Sequence, residues 1–247
     1  MLPSKIEVTN HVNTLVAQLK AYAVSELDVN VNSLRPNIGF KICGRYGTGG
    51  CGKMGEPTMK LNLGYIITYP VVGVHEYRSY AWDPRIGGFK TTEWKDWVDC
   101  LVLHEFAHVL QFALIRKHRT DRSQRTVNVP GFGMSESGHG YYFQRIYAKL
   151  RAKFLNDRIT PHYGNPGQEF LIPDEVKQAE RAKKEAKRKA AVVTEHPYIG
   201  LKVTFKGRIY TIKEVNTRNR KYPYIGVSAD GQRLKIDEFY LSYYKVA

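Results

Sequence analysis

Two histidines four residues apart, with a glutamate directly after the first, carry the strongest chemical signal in this chain: His104-Glu105-Phe106-Ala107-His108. Around them, residues 97 to 115 are largely apolar and read as a helix. On a helix, residues four apart share a face, so His104 and His108 can aim two imidazoles at one point while Glu105 stands beside them. That pattern suits a zinc ion with a carboxylate near its water. Glu105 would then serve as general base, taking a proton from a water whose pKa zinc lowers to about 7. The same carboxylate can return the proton to a leaving amine. The reading is a metal-dependent hydrolase, specifically a protease.

A catalytic zinc takes three protein ligands and keeps one position open. The third ligand is to be sought among His139, His118, His162, His75 and Glu136. His139 stands out because Ser137-Gly138-His139-Gly140 directly precedes a second helix, and flanking glycines let backbone come close to the metal helix. His118 lies about two and a half turns beyond His108 and points elsewhere. Oxyanion-stabilising candidates are Tyr141, Tyr142 and Arg145, all near His139 in sequence.

The elements that must hold these residues follow from apolar spacing. Residues 5 to 24 form an amphipathic first helix through Ile6, Val12, Leu15, Val16 and Leu19. Residues 38 to 42 and 59 to 67 read as strands around a glycine-rich loop, 44 to 55. A further strand is expected within 71 to 82. The metal helix starts near Thr92, a plausible N-cap. Residues 117 to 137 are polar and read as a long exposed loop. The second helix spans about 140 to 156, capped by Ser135 or Ser137.

Proline-rich residues 161 to 173 mark a boundary. Residues 174 to 191 are almost wholly Lys, Arg, Glu, Gln and Ala, a charged helix without an apolar stripe, read as a semi-rigid linker. From His196 onward short strands alternate with Lys206-Gly207 and Asp230-Gly231 turns, with a last strand over 239 to 246. This texture predicts a small antiparallel barrel similar to SH3-like or Tudor-type modules. The expected division is a protease domain at 1–172, a charged helical linker at 173–194 and a β-barrel at 195–247.

The chain has 247 residues and a formal net charge of +15. Such a charge favours a polyanionic partner, most often nucleic acid. In the terminal module Arg208, Arg218, Arg220 and Lys221 stand among tyrosines, a composition suited to a single-stranded nucleic acid, where cations hold phosphates and rings stack on bases, with a protein partner as the competing reading. Tyr210, Tyr222, Tyr224, Phe239, Tyr240, Tyr243 and Tyr244 are the rings available for stacking, unless about half of them serve as barrel core. Three cysteines, Cys43, Cys51 and Cys100, make no disulfide framework. The N-terminus lacks the features of a signal peptide and no run suggests a bilayer crossing, so an intracellular setting without membrane contact is expected.

His104-Glu105-Phe106-Ala107-His108, followed by Gly138-His139-Gly140-Tyr141-Tyr142-Phe143, resembles the SprT-like metalloproteases, including the Spartan DNA–protein crosslink proteases. Thr48-Gly49-Gly50-Cys51 and Met59-Lys60-Leu61-Asn62 resemble that family's hairpin. The resemblance spans about residues 1 to 157. It implies zinc held by His104, His108 and His139, catalysis by Glu105, and an α+β protease domain with a small sheet beside the metal helix. It also implies DNA-associated proteins as substrates. The chain departs from the family in its longer segment between His108 and His139, and in lacking the frequent C-terminal zinc ribbon. Two other functions compete: a non-proteolytic nucleic-acid-binding or anti-restriction factor on the same scaffold, and a zinc hydrolase of small amides.

Overall fold

The computed structural model describes residues 1–42, 46–52, 55–74, 83, 85–121, 123–124, 126–135, 138–155, 160–161, 169–193, 195–219, 221–243 and 245–246. The chain divides into two compact units, Met1–Ile172 and Pro173–Ala247, each with its own apolar core. The class is mixed α+β.

The first unit opens with helix α1 (Lys5–Leu27). Its start is a capping box: the Glu7 N–H donates to Ser4 Oγ at 3.2 Å and the Ser4 N–H donates to Glu7 Oε2 at 2.8 Å. Val8, Val12, Leu15, Val16 and Leu19 form its buried stripe. The helix stops at Asp28, which takes a left-handed conformation.

Three strands follow: β1 (Pro36–Gly39), β2 (Gly47–Cys51) and β3 (Pro57–Asn62), arranged β1-β3-β2. β1 runs parallel and β2 antiparallel to the central β3, with Gly47 opposite Leu61 and Cys51 opposite Pro57. β2 lies inside the segment whose glycines read as a loop. Its sequence, Gly47-Thr48-Gly49-Gly50-Cys51, has almost no strand propensity, so local preference does not explain it. The close approach of a helix does. A Cβ at Gly49 would stand 1.8 Å from the backbone oxygen of Glu105, so only a glycine strand fits there.

That helix is α2 (Trp94–His118), the centre of the unit. α1, β2, β3 and the later helix α3 (Tyr141–Phe154) all pack on it. Residues 102 to 107 are buried without interruption, as a helix enclosed on every side requires. By length and composition α2 would suffice to cross a bilayer, an exception to the expectation that no run would; 67% of its most apolar window is buried within the protein itself, which is how a core helix satisfies the same test. Its first residue lies two beyond the expected Thr92, with Glu93 at the N-cap position.

Short strands β4 (Phe89–Lys90), β5 (Asn128–Val129), β6 (Gly133–Met134) and β7 (Thr160–Pro161) complete the unit. β4 pairs with β7, and β5 with β6. The segment expected as an exposed loop therefore holds a small hairpin. Val127, Val129 and Phe132 bury their side chains, and Val127 and Ser135 exchange bonds of 2.7 and 2.8 Å. Ser135 spends its hydroxyl on Val127 and does not cap α3, whose N-cap is Gly140. Ser137 lies outside the described residues. Of the strand expected over 71 to 82, Val71 and Val74 form isolated bridges to Phe170 and Phe89; residues 75 to 82 lie outside the described residues.

The second unit begins with helix α4 (Asp174–Lys189), which buries no residue. Acidic Asp174 and Glu175 in its first turn and Lys187, Arg188 and Lys189 in its last complement the helix dipole. Ion pairs Lys177–Asp174 and Lys189–Glu185 support its exposed faces. Strand β8 (Val192–Val193) follows at once and pairs with β10 (Arg208–Asn216), which also pairs with β9 (Lys202–Phe205) and β11 (Tyr224–Ser228). β12 (Arg233–Ile236) flanks β11, and β13 (Lys245–Val246) flanks β9.

The expected closed barrel is, among the described residues, an open sheet in the order β12-β11-β10-β9-β13. Its two outer strands do not pair with one another. One is only two residues long, because most of the last expected strand is helix α5 (Glu238–Tyr243), which buries Leu241 in the core and exposes Phe239. The hairpin turns sit where expected. Lys206 and Gly207 both have positive φ, 49° and 76°, the geometry of a two-residue type I′ loop.

Candidate metal centre

α2 brings His104 and His108 to one face, and the turn before α3 brings His139 to meet them. The Nε2 atom of His139 lies 3.1 Å from His104 Nε2 and 3.0 Å from His108 Nε2. Three nitrogens bound tetrahedrally at about 2.0–2.1 Å would be about 3.3–3.4 Å apart, so the donor set is close to ligating geometry. These three residues form the one cluster able to hold a metal ion among the described residues. The phenyl ring of Phe143 fills the space behind them, with its centroid 5.0, 4.4 and 4.8 Å from the rings of His104, His108 and His139. Tyr147 backs His104 at 5.3 Å, and its hydroxyl meets Cys100 Sγ at 2.8 Å. Cys100 is therefore a packing residue.

Burial pulls the His108 imidazole down from its ordinary value to about 4. It is neutral at neutral pH, the form in which imidazole ligates a metal. His108 Nδ1 lies 3.1 Å from Gln111 Oε1, and Gln111 Nε2 donates to the carbonyl of Gly138 at 3.2 Å. Gln111 is itself buried, and its backbone carbonyl accepts the Tyr142 hydroxyl at 3.4 Å. Sequence reasoning missed this residue. Its one signal was a neutral polar side chain within the apolar run, three residues after His108.

Two expectations about the neighbourhood need correction. Gly138 was expected to permit close approach, yet a Cβ there would meet nothing within 4 Å. What demands glycine is its φ of 69°, which turns the chain into the His139 position. Tyr142 is almost wholly buried and commits its hydroxyl to Gln111, which removes it as an oxyanion donor. Arg145 donates to the Phe132 carbonyl at 3.0 Å, while Tyr141 is 77% exposed.

Glu105 is buried beside β2. A Cβ at Gly47 would stand 2.6 Å from Glu105 Oε1, and one at Gly49 would strike the Glu105 backbone. The glycine strand thus forms a wall against the carboxylate and the peptide that carries it. His118 ends α2 outside the metal cluster. His75, Glu136 and His162 lie outside the described residues, as does Cys43. Cys51 is exposed, with Arg116 Nη2 3.1 Å from its sulfur.

In the second unit the expected nucleic-acid contacts are dispersed. Arg208 is exposed and pairs with Asp230 at 3.3 Å. Arg218 and Lys221 are exposed on the loop after β10; Arg220 lies outside the described residues. Thr217 ties that loop to the end of α4, its N–H donating to the Ala191 carbonyl at 2.9 Å and its hydroxyl at 3.1 Å. The basic last turn of α4 and the basic loop are therefore held together within this unit. Tyr210 and Tyr224 are buried core residues and cannot stack on bases, whereas Phe239 is 69% exposed.

Compared with known proteins, the chain matches no family model, no curated protein and no solved structure.

Proposed function

We propose that the chain is a zinc-dependent endopeptidase of the SprT-like type, acting on proteins associated with DNA inside the cell. The observation that carries this reading is the convergence of His104, His108 and His139 through their Nε2 atoms, with Glu105 adjacent on the same helix. Three imidazole ligands and a neighbouring glutamate are the donor set of a catalytic zinc rather than a structural one, which would take a fourth protein ligand. When bound, zinc supplies Lewis acidity, lowering the pKa of a water to about 7 and polarising a carbonyl.

The protein's own residues do the rest. Glu105 accepts a proton from the attacking water at its carboxylate and passes it to the leaving amine nitrogen. Its burial beside β2 limits the positions the carboxylate can adopt. Phe143 and Tyr147 hold the imidazole rings from behind. Among the described residues β2 has a neighbouring strand on one side alone, an edge of the kind that accepts an extended peptide.

DNA enters the reading through charge. The net charge of +15, the basic end of α4 and the loop carrying Arg218 and Lys221 support an anionic partner. The same observations support a second reading, a nucleic-acid-binding or anti-restriction factor that does not cleave protein. One experiment separates them. Cleavage of a DNA-binding protein is followed with zinc and single-stranded DNA, duplex DNA or no DNA, beside the Glu105→Gln variant. The protease reading expects DNA-stimulated cleavage that disappears in the variant while zinc is retained. Zinc and DNA binding without cleavage under any of these conditions supports the binding protein.

A further inference from the structure

We propose that Gln111 is a positioning residue of the metal site, selecting the tautomer of His108 and locking the metal helix to the turn that carries His139. This rests on the reading that the three histidines hold a metal. The inference starts from a carbonyl. The Gly138 oxygen can only accept, so the Gln111 group 3.2 Å from it must be the amide NH2. That orientation turns Oε1, an acceptor, toward His108 Nδ1 at 3.1 Å. Nδ1 must then carry the proton, and the lone pair of the neutral ring resides on Nε2, the atom that faces His139. A single amide thus orients one ligand and ties it to the turn that presents another.

Burial makes the device effective. Gln111 is 2% exposed, so water does not compete for its two bonds. Its own carbonyl accepts from Tyr142, in the first turn of α3, and Gln144 of the same helix donates to the His139 carbonyl at 2.9 Å. Gln111 is thereby connected to both sides of the junction between α2 and α3. A ligand-orienting partner of this kind generally contributes 10–100-fold in metal affinity.

The test compares Gln111→Leu, which removes both bonds at similar volume, with Gln111→Glu, which keeps an acceptor for His108 and loses the donor to Gly138. Zinc affinity is measured by competition with a chromophoric chelator. The expected result is about 10–100-fold weaker binding for Gln111→Leu and a smaller loss for Gln111→Glu, which keeps the acceptor for His108 and gives up only the tie to Gly138. Equal weakening of both variants, or native affinity in Gln111→Leu, overturns the proposal. A second readout needs no metal: the 15N shifts of His108 in metal-free protein. Protonated Nδ1 and unprotonated Nε2 are expected in the native chain, with mixed tautomers in Gln111→Leu. A native chain protonated at Nε2 overturns the tautomer assignment. If zinc fails to bind while the tautomer is as stated, the metal reading fails and the control of His108 by Gln111 stands.

Discussion

Gly49→Ala probes the seating of β2 on α2 at the backbone of the proposed general base. The added Cβ would stand 1.8 Å from the Glu105 oxygen, 2.7 Å from its carbonyl carbon and 3.0 Å from its Cα. Ordinary contact begins near 3.4 Å, so strand and helix must part by about 1.6 Å. All three obstructing atoms are backbone, and no rotamer change relieves them. Overpacking of this kind typically costs about 1–3 kcal/mol, and a backbone collision belongs at or above the upper end. For a unit of this size about 3 kcal/mol lowers the melting temperature by about 6–12 °C. Trp82, Trp94 and Trp97 are the chain's three tryptophans and all belong to the first unit, so their fluorescence reports its unfolding selectively. Gly47→Ala is the comparison. Its Cβ would meet Oε1, Cγ and Cδ of Glu105 at 2.6, 2.7 and 2.8 Å, side-chain atoms that can swing aside. It should melt closer to the native chain, yet displace the carboxylate by about 1 Å and lower turnover by about 100-fold. A Gly49→Ala protein melting within about 2 °C of native, or a Gly47→Ala protein less stable than Gly49→Ala, would refute the packing argument.

Two further outcomes follow from the site and from the basic surface. Stripping the metal with a chelator should lower the tryptophan-reported melting temperature. A ligand at 1,000 times its Kd adds about 4 kcal/mol, and His139→Ala should melt alike with and without chelator. The double variant Arg218→Ala/Lys221→Ala should flatten the dependence of log binding on log salt by about 1.4 for single-stranded DNA. An unchanged slope would move the nucleic-acid contact elsewhere on the chain.

That His104 and His108 share one face of a buried helix was legible because their spacing is periodic: residues i and i+4 in an apolar run meet on one side. The same holds for α1, whose apolar stripe and Ser4–Glu7 cap are local signals. β2 was illegible for a physical reason. Glycine has no strand preference, and what makes this segment a strand is its pairing with β3 on one side and the nearness of α2 to its face. The final segment failed in the opposite direction. Phe239, Tyr240, Tyr243 and Tyr244 are good strand formers, yet residues 238 to 243 turn as a helix because this places Leu241 in the small core. Local preference lost to burial in both places.

Gln111 and the glycines of β2 solve related problems posed by one element. A helix that carries His104 and His108 and is enclosed by α1, β2, β3 and α3 has few routes by which its side chains can be oriented through solvent. Orientation must then come from buried partners, and each partner must itself be satisfied. For His108 the partner is an amide whose two ends are both used, one on the imidazole and one on the Gly138 carbonyl. For Glu105 the wall is a strand stripped of side chains where it faces the helix, so that the backbone can approach. In sequence the first looks like a stray polar residue and the second like a loop. Each acquires its meaning from α2, the element that holds His104, Glu105 and His108.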